Sequence, residues 1–452
     1  MAVHHVELDA VDAGGAELLA GFSEAGEVGG QDRRHDERGP HGPDATGAAR
    51  PRPVASGVVE VVELAVTGLA VGGDGVGRDP SGRVVFVRGA VPGDRVRARV
   101  TEARRRHARA ELIAVTEAAP TRRAPPCPEV ARGCGGCSLQ HLVLDEQRRL
   151  KRQLVLDALT RIGGLDEPDV RLGPALAAHG FRTTLRLAVR DGRAAFRRAR
   201  RRSTVAVAGC WVAHPLLAEL VEEGQFGAAT EVTLRAGAAT GERIAVVRPD
   251  TSGVRVPADV AVVGARAAGG RAAAYHEVVA GRRLRVSAGS FFQSRLDGAE
   301  LLVERVGAAV ADLAPRAAHL VDAYGGVGLL SAAGGAGRVT LVEAAACAAE
   351  DARHNLADLD ATVAAVPVER WRPEPADVVV ADPARHGLGA KAADVLAASS
   401  AAVLVLVSCD AGSLGRDAGE LARRGFRLER SEVLDLFPHT AHVEVVSRFT
   451  RG

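Results

Sequence analysis

The pattern of apolar and polar residues changes three times along the chain. From Gly57 to about Thr116, short runs such as VVEVVELAV and DRVRARV alternate with period two and are separated by Gly, Pro and Asp. Short strands at this spacing predict a small barrel of the oligonucleotide-binding type, which we place at residues 55–119.

The next region, residues 120–285, combines a helix with strands. The run LDEQRRLKRQLVLDALTRIG predicts a helix that ends at Gly163 and Gly164, because glycine is common just past a helix C-terminus. Farther on, FRTTLRLAVR and RAAFRRARR flank Asp191-Gly192, a strong signal for a β-hairpin. We therefore predict a central α+β domain.

Residues 286–452 alternate between strand and helix patterns. The runs AHLVDAYGG, RVTLVEA, ADVVVADP and AAVLVLVSC predict a doubly wound, Rossmann-like α/β sheet. Two final runs, FRLERSEVLDLFP and HVEVVSRF, have no helix between them and predict an antiparallel hairpin at the end of that sheet. The whole chain is thus predicted to be a multidomain α/β protein.

The N-terminal residues 1–54 show neither the apolar period of a helix nor that of a strand, so we expect them to be disordered. Met1 is the only methionine, and true initiation at Val54 or Val58 is an alternative hypothesis. The chain has no apolar run of about 18 residues and no secretory signal, so we expect a cytoplasmic protein that does not enter a membrane. No feature indicates an obligate protein partner.

Charge is distributed unevenly. The net charge is only +2, but nine arginines lie between Arg182 and Arg202 against one acid, Asp191. Charge of this kind can simply protect an exposed edge strand. Nine arginines exceed that need, and we predict that this hairpin contacts RNA phosphates.

Four predicted strands of the α/β region end on residues with possible chemical roles. They are Asp322, Glu343, Asp382 and Cys409. Because ligands bind at the carboxyl ends of strands in such sheets, we expect these residues to line one cleft. A thiol in such a place is often only a small core residue, so its position alone does not establish catalysis.

A glycine turn follows the first of these strands. Gly325, Gly326 and Gly328 allow the backbone to approach a nucleotide closely, and Glu343 can accept hydrogen bonds from ribose hydroxyls. The G-x-G-x-x-G pattern is incomplete, because its third glycine position is Ser331. This segment is therefore compatible with a nicotinamide cofactor or with S-adenosylmethionine.

Six cysteines in a cytoplasmic chain are poor evidence for disulfides. Cys127, Cys134 and Cys137 lie in CPEVARGCGGCSLQH, and Cys210 lies in AGCWVAHP. Four thiols suit either structural zinc or an iron–sulfur cluster, and the spacing does not choose between them. Cys347, in a helical run, is interpreted as a packing residue.

Six motifs, in order, resemble those of the RNA 5-methyluridine methyltransferases of the RumA and TrmA type. They are SAGSFFQSR, DAYGGVGLL, VEAAACAAEDARHN, ADPARHG, VSCDAGSLGRD and FPHTAHVEVV. The barrel run VVEVVELAVTGLAVGGDGVGR resembles the TRAM domain found on RNA-modifying enzymes. The resemblance covers residues 57–452.

The resemblance implies S-adenosylmethionine-dependent methylation of uridine carbon 5 in RNA. Cys409 would add to carbon 6 of uracil, and Glu444 would be the base that removes the proton from carbon 5. The alternative for Glu444 is an exposed strand carboxylate. Ribosomal RNA is favoured over transfer RNA, because the cysteine cluster points to the ribosomal-RNA branch.

The resemblance also assigns the binding residues. Gln293 would position the methyl donor and the base, Asp382 would contact the donor or hold the uracil, and Tyr324, Gly326 and Glu343 would cradle adenosine. The four cysteines would bind a [4Fe-4S] cluster, with zinc as the alternative, although the spacing of the first two is one residue longer than in the family.

Several motifs depart from the family pattern. The usual D-P-P-R reads Asp382-Pro383-Ala384-Arg385, S-C-N-P reads Ser408-Cys409-Asp410-Ala411, F-x-Q-x-N ends in Arg295, and Gly325 replaces a cysteine. A negative charge on Asp410 would oppose ionisation of the adjacent thiol. Two other interpretations therefore remain: an RNA-binding protein with a decayed catalytic site and a nicotinamide-dependent oxidoreductase.

Overall fold

The computed structural model describes residues 60–201, 203–267, 273–312, 317–333 and 335–452. The expectation of disorder for residues 1–54 lies outside these ranges. The chain divides into two compact units after Arg122, and each is described by itself.

The first unit contains a closed barrel with strand order β1-β2-β3-β5-β4, as the period-two pattern predicts. The strands are β1 (Val61–Leu69), β2 (Gly75–Arg78), β3 (Val84–Arg88), β4 (Arg95–Ala103) and β5 (His107–Glu117). On β4, Val96, Ala98 and Val100 point into the barrel, while the intervening arginines are exposed.

The second unit begins with helices and a six-stranded sheet of order β14-β12-β11-β7-β8-β9. Its strands are β7 (Thr184–Arg190), β8 (Arg193–Arg197), β9 (Thr204–Ala206), β11 (Glu231–Ala236), β12 (Arg243–Arg248) and β14 (Val260–Gly264). The helices are α1 (Pro128–Ala131), α2 (Leu144–Arg161) and α3 (Pro215–Glu222). Two small sheets pair β10 (Gln225–Phe226) with β13 (Val254–Arg255) and β15 (Ala274–Val279) with β16 (Arg282–Ser287).

The predicted hairpin is present between β7 and β8, where Arg190 pairs with Arg193. Asp191 and Gly192 have φ angles of 52° and 73°. A two-residue turn with both φ angles positive matches the twist of its strands, which explains the Asp-Gly signal.

An eight-stranded sheet of order β19-β18-β17-β20-β21-β23-β22-β6 forms the rest of the unit. Its strands are β6 (Val170–Leu172), β17 (His319–Ala323), β18 (Arg338–Val342), β19 (Ala361–Ala364), β20 (Val378–Ala381), β21 (Val403–Ser408), β22 (Phe426–Leu434) and β23 (Glu444–Arg451). Helices α4 (Leu296–Val310), α5 (Ala346–Asn355), α6 (Gly389–Ala397) and α7 (Ala411–Arg423) belong to the same part of the chain. Strands β17 to β21 are parallel, and the predicted antiparallel hairpin is β22 with β23.

The regions predicted as central and catalytic share this unit. Strand β6 precedes residue 286, yet it pairs in parallel with β22 of the large sheet. A boundary at 285/286 thus divides residues that fold together. Among the helices in the described ranges, none combines the length and the apolar character needed to cross a membrane.

Candidate active site

Sheet register brings the predicted nucleophile and base together. The last residue of β21, Ser408, pairs with Val445 of the antiparallel β23. Cys409 and Glu444 each lie one residue beyond that pair, so they face each other across neighbouring strands. The end of a parallel strand and the start of an antiparallel neighbour thus meet at one edge of the sheet.

The same edge carries two aspartates. Ala323 of β17 pairs with Ala381 of β20, and Asp322 and Asp382 lie at the carboxyl ends of these strands. Burial raises the pKa of Asp322 to about 7. Burial, and then the charge of Asp322, raises the pKa of Asp382 to about 7. One oxygen of Asp322 accepts a 2.6 Å hydrogen bond from Ser331, whereas Oδ1 has no partner within the described ranges.

Glu444 is also buried, with 2% of its surface exposed. The alternative of an exposed strand carboxylate is therefore wrong. Burial, and secondarily the nearby Asp382, raises the pKa of Glu444 well above its usual value, while Arg385 opposes the shift. The raised pKa makes the carboxylate form of Glu444 a stronger base than an exposed glutamate.

The Cys409 thiol is partly buried. Burial, followed by the charges of Glu444, Asp382 and Asp410, raises its pKa to about 12, and Arg385 acts in the opposite direction. Asp410 thus raises the pKa of Cys409, as the sequence predicted, but burial raises it more. Arg385 was not among the predicted site residues, although it follows Asp382 closely in ADPARHG.

Asp410 also has a structural role. It is the N-cap of α7, where its Oδ1 accepts a 2.8 Å hydrogen bond from the Ser413 amide. Aspartate and asparagine are both favoured at this position, so the departure from S-C-N-P keeps the cap. Unlike asparagine, however, aspartate adds a negative charge beside Cys409.

The glycine turn forms a cradle beside strand β18. Glu343, at the end of that strand, accepts hydrogen bonds from the amides of Gly326 at 3.0 Å and Ala345 at 2.6 Å. Gly326 has a φ of 56°, and a Cβ atom there would meet no atom within 4 Å. The turn therefore leaves space above its backbone. Tyr324 donates a 3.3 Å hydrogen bond to Glu369, a residue that the sequence did not single out.

Gln293 lies in the loop between β16 and α4 and is 8% exposed. The neighbouring departure, Arg295, is a structural residue. Its guanidinium bonds to Asp297, donates to two carbonyl oxygens and lies 4.3 Å over the ring of Phe181. Arg295 therefore links the start of α4 to Phe181 and to the backbone of two distant segments.

The structure brings the four predicted metal-binding cysteines into one neighbourhood. All are free thiols. Burial, and then the other thiols, raises the pKa of Cys134, and burial raises that of Cys137 to about 12. However, within the described part of the chain, no three or more His, Cys, Asp or Glu residues are arranged to hold a metal ion.

The cationic hairpin is partly neutralised within the protein. Glu231 of β11 pairs with Arg186 at 3.0 Å, Arg248 at 3.5 Å and Arg197 at 3.8 Å. Arg190, next to the turn, keeps 59% of its side chain exposed. The hairpin therefore presents less free charge than its sequence indicates.

The fold is that of Rossmann-like RNA methyltransferases. The chain superimposes on a Pyrococcus abyssi tRNA (uracil-54, C5)-methyltransferase, solved with S-adenosyl-L-homocysteine, with a TM-score of 0.67 and 23% identity, over 86% of this chain and 100% of the other. Residues 55–113 match the TRAM domain.

Two relatives have sequences similar to most of the chain. An RNA methyltransferase of Streptomyces avermitilis is 33% identical over 86% of this chain and 98% of its own length. A 23S rRNA (uracil(1939)-C(5))-methyltransferase of Chromohalobacter salexigens is 32% identical over 86% of this chain and 89% of its own. The chain belongs to the RNA uracil-C5 methyltransferase family of the RumA and TrmA type. This assignment argues against the nicotinamide-dependent oxidoreductase.

Proposed function

We propose that the protein methylates carbon 5 of a uridine in 23S ribosomal RNA through a covalent Cys409 adduct. The observation that carries this proposal is the position of Cys409 opposite the buried Glu444. A relative that is 32% identical is named for 23S rRNA, which supports the ribosomal substrate over transfer RNA.

The two residues divide the chemistry between them. After the thiol proton has passed to solvent, the Cys409 thiolate forms a bond to carbon 6 of uracil, and the displaced electron pair makes carbon 5 nucleophilic. Carbon 5 then takes the methyl group. Glu444 removes the remaining proton from carbon 5, and the returning electron pair breaks the sulfur–carbon bond. The Cys409 thiolate and the double bond of the uracil ring are both regenerated, and Glu444 releases its proton to solvent.

S-adenosylmethionine supplies the methyl group when it is bound. The glycine turn and Glu343 have the space and the acceptor oxygens that its adenosine part needs. The open space above Gly326 admits a nucleoside, and the partly exposed Glu343 can accept ribose hydroxyls. The unpartnered Oδ1 of Asp322 is a buried acceptor for a donor group of the ligand. Tyr324, Gln293 and Asp382 complete the proposed binding residues.

Cys127, Cys134, Cys137 and Cys210 are the proposed ligands of a [4Fe-4S] cluster, with zinc as the alternative. Four free thiols within electrostatic reach of one another support this assignment. Burial disfavours the thiolate forms of Cys134, Cys137 and Cys210, and a bound metal would supply the missing positive charge. The TRAM barrel and the hairpin arginines are proposed to bind the RNA backbone.

The test is transfer of radiolabelled methyl from S-adenosylmethionine to undermodified 23S rRNA and, separately, to unmodified transfer RNA. We expect label at a uridine of the ribosomal RNA and none with Cys409→Ala. Glu444→Gln should accumulate a protein–RNA adduct that survives denaturation, because the carbon 5 proton stays in place. Cys347→Ala is the matched control and should keep full activity.

Other outcomes would change the proposal. Label in transfer RNA alone would overturn the ribosomal substrate but keep the mechanism. Label in neither RNA from metal-replete protein would favour the RNA-binding protein without turnover.

A further inference from the structure

The loop that carries Gln293, residues 287–294, is fixed by one buried carboxylate. Asp351 of α5 is completely buried. Its Oδ2 accepts hydrogen bonds from the Ser287 amide at 2.8 Å and the Ser290 hydroxyl at 2.7 Å. Its Oδ1 accepts from the Ser287 hydroxyl at 2.9 Å and from the Arg285 guanidinium. An ionised carboxylate is an acceptor only, so four donors can converge on it.

The loop is held on its other side by the six-stranded sheet. Arg235 of β11 donates to the carbonyl oxygens of Ser287, at 3.5 Å, and Ser290. The amide of Thr183, just before β7, donates to the carbonyl of Ser294 at 2.8 Å. The loop is thus clamped between the sheet that carries the cationic hairpin and helix α5.

The same helix is tied to the glycine turn. Asn355 lies one turn after Asp351, and its Nδ2 donates to the carbonyls of Val327 and Arg285, each at 2.9 Å. Its Oδ1 accepts from the Arg285 amide at 2.7 Å. Helix α5 therefore connects the proposed adenosine cradle to the loop that carries Gln293.

We infer that Asp351 is a positioning residue that holds the 287–294 loop, and with it Gln293, in register with the glycine turn. The inference rests on the proposed function, in which Gln293 positions the methyl donor and the base. It assigns Asp351 no contact with either substrate. Arg235 supports the loop from the opposite side.

Asp351→Asn tests the inference with little change in side-chain shape. The amide replaces one acceptor oxygen by a donor, which then faces either the Ser287 amide or the Arg285 guanidinium. At least one of the four hydrogen bonds is lost. Because small displacements of a positioning group can cost up to about a hundredfold in rate, we expect kcat to fall at least tenfold.

Steady-state kinetics in two backgrounds separate positioning from a general loss of stability. If Asp351 acts through Gln293, Asp351→Asn should lower kcat by less than about twofold when Gln293→Ala is already present. An equal fold loss in both backgrounds would show independent effects and overturn the inference. An unchanged kcat in the single variant would also overturn it.

Hydrogen exchange provides a readout that does not need turnover. The amides of residues 287–294 should exchange at least about tenfold faster in Asp351→Asn, while those of β17 keep their rates. Asp377→Asn is the matched control. Asp377 also accepts hydrogen bonds from two amides, those of Ala318 and His319, but it lies at the amino end of β17, away from the proposed active site. This control should leave the loop unchanged.

Unchanged exchange in the loop of Asp351→Asn would overturn the inference whatever the kinetics show. Wild-type protein that transfers no methyl group would overturn the proposed function, and exchange would still decide whether Asp351 fixes the loop.

Discussion

At the residue scale, burial is the main cause of the pKa shifts of Cys409, Asp382 and Glu444. Each group has a raised pKa, Asp382 raises the pKa of Glu444 further, and both carboxyls raise the pKa of the thiol. Arg385 is the positive charge that lowers the pKa of both the proposed nucleophile and the proposed base. It therefore favours the two ionised forms that the chemistry needs.

We predict that Arg385→Gln lowers methyl transfer. Without this cation, the pKa values of Cys409 and Glu444 rise further, so at a given pH fewer molecules carry both a thiolate and a carboxylate. The rise of kcat/KM with pH should therefore move to higher pH. The measurement is kcat/KM between pH 6.5 and 9.5.

The control for this profile is Arg423→Gln. Arg423 forms an exposed ion pair with Glu420 at the end of α7 and does not contribute to the pKa of Cys409. Its profile should match that of the wild type. An Arg385→Gln profile that matches the wild type would contradict the role of this cation.

At the element scale, the start of α7 combines stability with reactivity. Asp410 satisfies a helix amide that would otherwise lack a partner, and it does so with a charged group next to Cys409. The cap hydrogen bond stabilises the helix, whereas the charge of Asp410 opposes formation of the Cys409 thiolate.

We predict that Asp410→Asn keeps the stability and raises the activity at neutral pH. Asparagine caps helices about as well as aspartate, and its side chain removes a charge that raises the Cys409 pKa. The measurements are Tm and kcat/KM at pH 7. Asp410→Ala is the comparison and should lose about 1 kcal/mol of stability with the cap. An asparagine variant with lower activity would contradict this account.

At the scale of the whole second unit, α2 anchors the segment that leads to Glu444. Lys151 Nζ donates to Asp435 at 2.6 Å and to the Phe437 carbonyl at 2.8 Å, and it is completely buried. Gln147, one turn earlier, accepts a 2.7 Å hydrogen bond from the His439 amide. A helix predicted for a separate central domain thus positions part of the catalytic region.

We predict that Lys151→Met destabilises the second unit by about 3 to 5 kcal/mol, because it leaves Asp435 buried and unpaired. Adding Asp435→Leu should restore much of the loss, since an apolar pair can replace a buried ion pair. The measurement is the denaturant midpoint of the second unit. A double variant no more stable than Lys151→Met would indicate that the ion pair is not the cause.

The sequence predicted those features that depend on local patterns. Period two on β4, the Asp191-Gly192 turn and the glycine end of α2 each follow from backbone geometry within a few residues. The motifs around Cys409 and Glu444 indicated the family because each motif is a short segment that can be recognised without knowing the fold. The binding roles of Gln293, Tyr324, Gly326, Glu343 and Asp382 stay predictions, as do those of the four cysteines.

Only the tertiary structure decided how distant segments meet. The register of β21 against β23 places Cys409 opposite Glu444. Folding also pairs Glu231 with hairpin arginines, buries Arg295 among partners, and brings Asp351 to Ser287. These contacts join residues far apart in sequence, and burial then raises the pKa values of Cys409 and Glu444. Local propensity carries no information about such pairs, because their energies depend on neighbours and on the exclusion of water.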